Sequence, residues 1–223
     1  MLSAAKSMKL VVIEDQVMVR DMMVQLCREQ FPDAEVAEAG DGRTGVSLCR
    51  ELQPGIALLD IDLPDGDGLD RIAEIAAHSP GTKIIVITSH SDDYAIHRSL
   101  AANVSAFVDK CSLPIEAVGD AIAEVAAGRQ FFSPVVTRAK ARLGRDPHAF
   151  TKLLSAREQE VLRLLGEGFS NDTVAQRLEL SPKTILSYRR NIMTKLGVHS
   201  TPELIRYAFK KGFTRLRQED GAD

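Results

Sequence analysis

The sequence predicts an α/β domain, a doubly wound five-stranded parallel sheet, followed by a small all-α four-helix domain. Up to about residue 128, short continuous apolar runs alternate with segments of helical spacing, and after residue 150 only helix signals remain. Strands that are apolar without alternation, and that are separated by helices, indicate a parallel sheet covered on both faces. Charge divides the same way, because residues 1–150 carry a net −7 and residues 151–223 a net +4. An acidic first half and a basic second half favour two domains. The basic second domain could bind a polyanion.

The predicted strands of the first domain, in chain order, are KLVVIED, AEVAEA, IALLD, KIIVITS and VSAFVDK. The second of these is short and half polar, which is typical of an edge strand. The helices are predicted over residues 17–29, 42–51, 68–78, 92–102 and 114–127. Five strands and five helices suit the flavodoxin-like strand order 2-1-3-4-5.

Residues 129–150 carry Gly, Pro and charges without a clear period, so we interpret them as a linker. Residues 151–217 then form the predicted helical domain, and residues 218–223 an acidic tail. Ser155 with Glu158, and Ser200 with Glu203, each predict a capping box at a helix start. The N-cap of the longest helix is predicted at Ser181, with the helix covering residues 182–196 and ending at Gly197.

Composition excludes several classes of protein. The three cysteines form no CxxC pair and the five histidines show no HxxxH spacing, which argues against disulfides and against zinc. No apolar run reaches the roughly 18 residues that a membrane helix needs. The opening MLSAAKSMKL lacks the apolar core of a secretory signal. We therefore expect a cytoplasmic protein without a membrane partner.

Polar side chains end the predicted strands of the first domain. Glu14 and Asp15 end strand 1, Asp60 ends strand 3, Thr88 ends strand 4 and Lys110 ends strand 5. Ligands of such sheets bind at the carboxyl ends of the strands, near the point where the strand order reverses. Three carboxylates at one crevice repel each other, and Mg²⁺ relieves that repulsion. A carboxylate there can also act as a nucleophile that forms an aspartyl-phosphate.

The stretch IALLDIDLPDGDGLD has five aspartates. An EF-hand would need an acid or amide at loop position 5, but counting from Asp60 or from Asp65 puts Pro64 or Leu69 there. We expect Asp65, Asp67 and Asp70 to cap and solvate the loop before helix 3.

The blocks VVIED, LLDIDLPDGDGL, VITSH and SAFVDK resemble a two-component receiver domain over residues 8–128. The resemblance implies that Asp60 is the phosphoacceptor, with Thr88 and Lys110 assisting. It implies a Mg²⁺ site made of Glu14, Asp15, Asp60 and the main-chain carbonyl of Asp62, and a switch formed by Thr88 and Phe107. One departure is Asn103-Val104-Ser105-Ala106, where the family often has Gly-Ala-x-Gly.

The second domain contains a predicted helix-turn-helix. Its first helix, its turn and its second helix are predicted at NDTVAQRL, ELSP and KTILSYRRNIMTKLG, respectively. Ile185, Ile192 and Leu196 share one face of the second helix. No acid lies between Glu179 and Glu203, so its other face is polar and positive and can contact DNA. That face contains Lys183, Ser187, Arg190, Asn191 and Thr194.

This second domain resembles the LuxR-type DNA-binding domain. By that resemblance Asn171, Lys183, Thr184 and Lys195 contact the sugar-phosphate backbone. The residues implied to face base edges are Leu186, Ser187 and Arg190. Leucine replaces the usual lysine at 186, and it can pack on a thymine methyl group but cannot donate to guanine. The helix over residues 202–211 resembles the dimerisation helix of the family, although plain four-helix packing explains it equally well.

Together the two halves resemble a response regulator of the NarL/FixJ type. The resemblance implies a transcription regulator rather than an enzyme. A sensor histidine kinase would phosphorylate Asp60 with Mg²⁺ bound, and a homodimer would then bind a two-fold-symmetric site on double-stranded DNA. Two alternatives stay open: a receiver that docks proteins without phosphorylation, and, less favoured, an Asp-nucleophile phosphohydrolase, for which no acid–base residue stands out.

Overall fold

The computed structural model describes residues 8–214. They divide into two compact units. The first unit contains residues 8–91 and 98–138, and the second contains residues 92–97 and 139–214. The predicted acidic tail over residues 218–223 lies outside the described residues.

The strands of the first unit form one parallel sheet of six strands and one short antiparallel hairpin. They are β1 (Lys9–Ile13), β2 (Glu35–Ala39), β3 (Ile56–Leu59), β4 (Asp62–Leu63), β5 (Gly66–Asp67), β6 (Lys83–Thr88), β7 (Ala106–Asp109) and β8 (Phe131–Phe132). The order in the large sheet is β2-β1-β3-β6-β7-β8, and β4 pairs with β5. The five predicted strands therefore occur in the predicted order 2-1-3-4-5, which confirms the fold class, and one further strand extends the edge.

The central strands are buried on both faces, as is typical of a parallel sheet. All residues of β3 and β7 are buried, and β1 and β6 each have only a partly exposed first residue. A strand that is buried on both faces has no polar side to turn to water, so its sequence shows no alternation. β2 is partly exposed along its length, as expected of an edge strand.

Two of the helices that alternate with these strands begin at a capping residue. Asp41 and Asp67 accept a hydrogen bond from the backbone N–H of Thr44 and Leu69, respectively, at the starts of the second and third helices. The helices are α1 (Val17–Gln30), α2 (Gly42–Leu52), α3 (Gly68–His78), α4 (Asp93–Ala101) and α5 (Glu116–Ala126). Each lies within three residues of its predicted bounds.

The segment expected to be a linker, residues 129–150, contains regular structure. β8 pairs with β7 in register, and a helix, α6 (Pro134–Arg145), follows it. Phe131 N donates to Ser105 O at 3.2 Å, and Ser133 N donates to Phe107 O at 3.0 Å. A strand of two residues is too short to show a period, so this sequence gave no strand signal.

The second unit is helical apart from a few connecting residues. Its helices after α6 are α7 (Phe150–Leu153), α8 (Ala156–Gly166), α9 (Asn171–Arg177), α10 (Pro182–Leu196) and α11 (Thr201–Lys211). Their buried side chains form one core that contains Phe150, Leu162, Val174, Ile185 and Ile192, with Tyr94 from residues 92–97 stacked on Phe213.

Capping in this unit follows the prediction with one exception. Ser155 and Glu158 form the complete capping box, and Ser181 caps α10, which ends at Gly197 with a left-handed φ of 66°. Ser200 caps α11, but Glu203 accepts from His199 N at 2.8 Å instead of from Ser200 N. The prediction of a second capping box was therefore wrong in one of its two bonds. The Glu203 carboxylate binds the N–H of His199, which is one residue before Ser200.

Among residues 8–214, no helix is both long enough and apolar enough to cross a membrane.

Candidate functional site

Three carboxylates meet at one edge of the parallel sheet. Glu14 and Asp15 follow β1 and Asp60 follows β3, and these strands are neighbours with Ile13 opposite Leu59. One carboxylate oxygen from each of the three residues lies within 4.8 Å of the others. Glu14 and Asp60 are buried, with 0% and 4% exposure, whereas Asp15 is exposed. The sequence prediction that strand ends bring these acids together thus matches the geometry.

Lys110 lies between two of these acids. Its Nζ donates to Glu14 Oε2 at 2.6 Å and to Asp60 Oδ2 at 2.8 Å. The backbone places it there, because Lys110 follows β7 and its N–H donates to Thr88 O at 2.9 Å. One ammonium group therefore compensates two buried carboxylates.

Burial and mutual repulsion set the electrostatics of this cluster. Burial and the neighbouring Asp60 raise the pKa of Glu14 to about 7, and Lys110 opposes the rise. Burial alone would lower the pKa of Lys110, but Asp60 and Glu14 outweigh it and the pKa is raised. Lys110 thus stays charged at neutral pH, whereas Glu14 gains or loses its proton near neutral pH.

The other oxygen of Asp60 is bound to the backbone that follows it. Asp60 Oδ1 accepts from Ile61 N at 2.6 Å and from Asp62 N at 3.4 Å. The first turn of α3 packs against this loop, with Gly68 N donating to Ile61 O at 2.7 Å. A Cβ atom on Gly68 would lie 2.0 Å from Asp60 O, so only glycine permits this approach.

The remaining aspartates of the loop hold neighbouring elements in place. Asp67 caps α3, as expected, and accepts from Arg98 at 2.6 Å, while Asp70 accepts from the same guanidinium at 2.5 Å. Asp65 does not cap α3. Its carboxylate accepts from Gly42 N and from Arg43 N, each at 2.9 Å, at the start of α2. The expectation for Asp65 was therefore wrong, because a residue 23 positions earlier supplies the helix end that it caps.

The Asp62 side chain points to solvent and pairs with His90. The sequence analysis did not identify His90. It follows Thr88 by two residues, and its backbone N–H donates to Thr88 Oγ1 at 3.1 Å. An exposed pair made of residues 28 apart in sequence depends on the tertiary fold, so no local motif could have indicated it.

Both residues predicted to form the switch are completely buried. Thr88 and Phe107 have 0% exposure, and Phe107 lies opposite Val86 on the neighbouring strand. In the loop before β7, Asn103 adopts a left-handed φ of 55°, which asparagine tolerates without a glycine. The departure from the Gly-Ala-x-Gly pattern is thus accommodated.

In the second unit, the predicted DNA-contacting residues lie on α10 and at the start of α9. Asn171 and Thr184 are half-buried, and the others are exposed: Lys183, Leu186, Ser187, Arg190, Asn191 and Lys195. Ile185 and Ile192 point into the core from the opposite face, as the helical wheel predicted.

Two contacts on this surface were not expected. Lys195 Nζ donates to both carboxylate oxygens of Glu158, at 2.7 and 2.8 Å, so part of its charge is compensated. Arg189, which the sequence analysis did not single out, donates to Asn171 Oδ1 at 3.4 Å and also contacts Thr201. These contacts connect α10 to α8, α9 and α11.

Comparisons of this chain with family models and with known proteins agree on its family. Residues 10–120 match the family model described as response regulator receiver domain, and residues 152–208 match bacterial regulatory proteins of the luxR family. The oxygen regulatory protein NreC of Staphylococcus aureus is 32% identical over 213 residues, which cover 92% of this chain and 98% of NreC. The chain belongs to the NarL/FixJ-type response regulators.

Solved structures of RcsB resemble this response regulator over most of its length. RcsB from Salmonella enterica serovar Typhimurium bound to promoter rprA with the phosphomimetic BeF₃⁻ gives a TM-score of 0.68 at 27% identity. That match covers 90% of this chain and 98% of the other. Another structure, an RcsB–DNA complex, gives a TM-score of 0.61 at 27% identity and covers 92% and 98% of the two chains. The expected family and function are confirmed: this response regulator is a phosphorylation-controlled transcription regulator.

Proposed function

We propose that Asp60 is the phosphoacceptor of this response regulator, with a sensor histidine kinase as donor. The observation that carries the proposal is the placement of Asp60 beside Lys110 and a second buried acid, Glu14. A carboxylate next to a cation, at the end of a central strand, is available as a nucleophile toward phosphorus.

In the proposed reaction an oxygen of Asp60 attacks phosphorus and forms an O–P bond. The P–N bond to the donor histidine breaks, and the imidazole nitrogen takes the electron pair. Lys110 Nζ, 2.8 Å from Asp60 Oδ2, is placed to bind an oxygen of the transferred group. The Thr88 hydroxyl, at the end of the adjacent strand, is the second group that we assign to those oxygens.

The carboxylates Glu14, Asp15 and Asp60 would hold Mg²⁺, together with the main-chain carbonyl of Asp62. The donor set is made of oxygen atoms, which suits a hard divalent cation. When bound, Mg²⁺ supplies positive charge to the phosphoryl oxygens. The raised pKa of Glu14 supports this assignment, because a cation would relieve the repulsion that burial and Asp60 create.

Phosphorylation would then change the surface around Thr88 and Phe107. The phosphoryl group adds a charge of about −1.5 to −2. Thr88 Oγ1 now accepts from His90 N, and turning toward the phosphoryl group would release that bond. Phe107 would move with Thr88, and dimerisation and DNA binding would change in response.

The proposed DNA-binding surface is the exposed face of α10 with the start of α9. Asn171, Lys183, Thr184 and Lys195 would contact the sugar-phosphate backbone. Leu186, Ser187 and Arg190 would face base edges, with Asn191 beside them. A homodimer would place two copies of α10 about 34–36 Å apart on a two-fold-symmetric operator.

The proposed dimer surface is α11, where Ile205 and Phe209 are 37% and 52% exposed. They are four residues apart and so share one face of the helix. Phe209→Glu should reduce dimer formation in sedimentation, whereas Met18→Glu, at an exposed apolar residue of α1, should not. We infer a cytoplasmic regulator, because its proposed partners are a kinase and DNA.

The test is labelling by a small-molecule phosphodonor with Mg²⁺, followed by DNA binding and sedimentation at fixed salt. Asp60→Ala should abolish the acyl phosphate, whereas Asp62→Asn should keep it, since only the main-chain carbonyl of Asp62 is assigned. Labelling that persists in Asp60→Ala would refute the assignment. DNA binding that is the same with and without the donor would favour the protein-docking alternative. Turnover of phosphate esters with Mg²⁺, beyond one equivalent of acyl phosphate, would favour a phosphohydrolase.

A further inference from the structure

Arg20 binds the backbone of both neighbouring acids at the sheet edge. It lies in the second turn of α1, and its side chain is 17% exposed. One guanidinium nitrogen, Nη1, donates to Glu14 O at 2.7 Å and to Asp15 O at 3.3 Å. Its Nε lies 3.9 Å from Glu38 Oε2, which draws the guanidinium toward β2.

With these contacts, both the N–H and the C=O of Glu14 are hydrogen-bonded. Glu14 N donates to Ala39 O at 3.0 Å, so β2 holds the N–H while Arg20 holds the C=O. Gly40 leaves room for the guanidinium, because a Cβ atom there would lie 3.2 Å from Arg20 Nη1. A side chain from α1 therefore clamps the turn between β1 and α1.

The clamp matters most for Asp15. Glu14 has its carboxylate bound by Lys110 and by Gln16 N, whereas the Asp15 side chain is exposed. The direction of an exposed carboxylate depends on its backbone, and Arg20 holds the carbonyl of that same residue. Groups that orient metal ligands in this way typically change metal affinity by 10–100-fold when removed.

We propose that Arg20 is a positioning residue for the divalent-cation site, and that it acts by holding the carbonyl groups of Glu14 and Asp15. This inference rests on the proposed metal site at Glu14, Asp15 and Asp60. Arg20 is not one of the groups assigned to bind the cation or the phosphoryl group; its contacts are to Glu14 O, Asp15 O and Glu38.

The test measures the binding of Mn²⁺ to the full chain without a phosphodonor. Electron paramagnetic resonance detects the binding. Arg20→Ala should weaken binding by about tenfold or more. Arg20→Lys should give an intermediate affinity, because an ammonium group can bind a carbonyl. The matched control is Arg28→Ala, because Arg28 is an exposed arginine at the far end of the same helix. This variant should bind Mn²⁺ with the affinity of the wild type.

Three outcomes decide the matter. If Arg20→Ala binds Mn²⁺ within about twofold of the wild type, the clamp does not position the site and the inference fails. If Arg20→Ala does not fold, the same twofold criterion is applied to Arg20→Met, whose side chain has no hydrogen-bond donor for the two carbonyl groups. If the wild type and Asp15→Asn bind Mn²⁺ equally weakly, the proposed metal site itself is refuted, and the inference falls with it.

Discussion

Lys110 bridges Glu14 and Asp60, with Nζ 2.6 Å from the first carboxylate and 2.8 Å from the second. Both carboxylates are buried, and a third, Asp15, stands within 4.8 Å of them. The site thus has one ammonium group for three acids, and this deficit of positive charge supports the proposal of a divalent cation there.

Lys110→Met tests that charge balance. Removing the ammonium group leaves two buried carboxylates without compensation, so the first unit should lose roughly 3 kcal/mol of unfolding free energy. Mg²⁺ should restore more of that stability in the variant than it adds to the wild type. Urea unfolding with and without Mg²⁺ measures both effects.

The control for this prediction is Lys9→Met. Lys9 pairs with Glu35 at 2.9 Å on the surface of the same unit, with side-chain exposures of 31% and 51%. Its loss should cost less than about 1 kcal/mol and should not depend on Mg²⁺. Equal losses in the two variants would contradict the special role of the buried lysine.

Gly68→Ala should disturb the loop that carries Asp60. The new Cβ atom would lie 2.0 Å from Asp60 O, and backbone must move to admit it. We expect a loss of about 1–3 kcal/mol of stability together with slower labelling by a phosphodonor. Gly81→Ala is the matched control, since nothing lies within 4 Å of its Cβ position. Labelling at the wild-type rate in Gly68→Ala would show that the loop relaxes without cost to the site.

Glu158→Gln should lower stability in a way that depends on pH. Burial raises the pKa of Glu158, but bonds from Lys195 and Ser155 outweigh it, and the pKa is lowered in the folded protein. The carboxylate therefore contributes stability above its unfolded pKa of about 4.3, and this contribution is lost as the pH falls through the folded value. We expect the variant to be about 1 kcal/mol less stable at pH 7. The difference from the wild type should shrink as the pH falls below the unfolded pKa and through the lowered folded pKa.

Amide exchange in α8 and α10 measures that difference at each pH. Glu160→Gln is a suitable control, because Glu160 forms an exposed pair with Arg157 on the same helix. A difference between Glu158→Gln and the wild type that does not shrink as the pH falls below the unfolded pKa would mean that the charge is not what stabilises this cap.

The sequence predicted the elements whose signals are local. Helical spacing over residues 68–78 indicated α3 with its observed bounds, and Ser181 with Gly197 did the same for α10. The acid cluster was predictable as well, because parallel strands must end at one edge and each strand end carried its polar residue.

The interactions that escaped prediction link residues far apart in sequence. Asp65 caps a helix that begins 23 residues earlier, and Lys195 reaches Glu158 across 37 positions. Both partners are ordinary charged residues, which local patterns assign to solvent. Arg20 escaped for a different reason, since it binds backbone carbonyls, and these carry no sequence signal.

Cys111 should react with iodoacetamide before the other two cysteines. It is exposed, whereas Cys27 and Cys49 are buried, and burial raises the pKa of each buried thiol to about 11. Only the thiolate reacts, so the buried pair should be modified on unfolding only. Mass mapping of peptides after a short exposure at pH 8 gives the order, and early modification of Cys49 would contradict it.

Lys183→Ala and Lys195→Ala should differ in their effect on DNA binding. Each phosphate contact by a free lysine contributes about one unit to the slope of log K against log salt. Lys183 is exposed on α10, whereas Lys195 already binds Glu158 at 2.7 Å and shares its charge. We therefore expect a loss of slope of about one for Lys183→Ala and a smaller loss for Lys195→Ala. Titrations of one DNA fragment at several salt concentrations measure both slopes. Equal slopes in these two variants would mean that DNA displaces the carboxylate of Glu158 from Lys195, and Glu158→Gln would then leave the effect of Lys195→Ala unchanged.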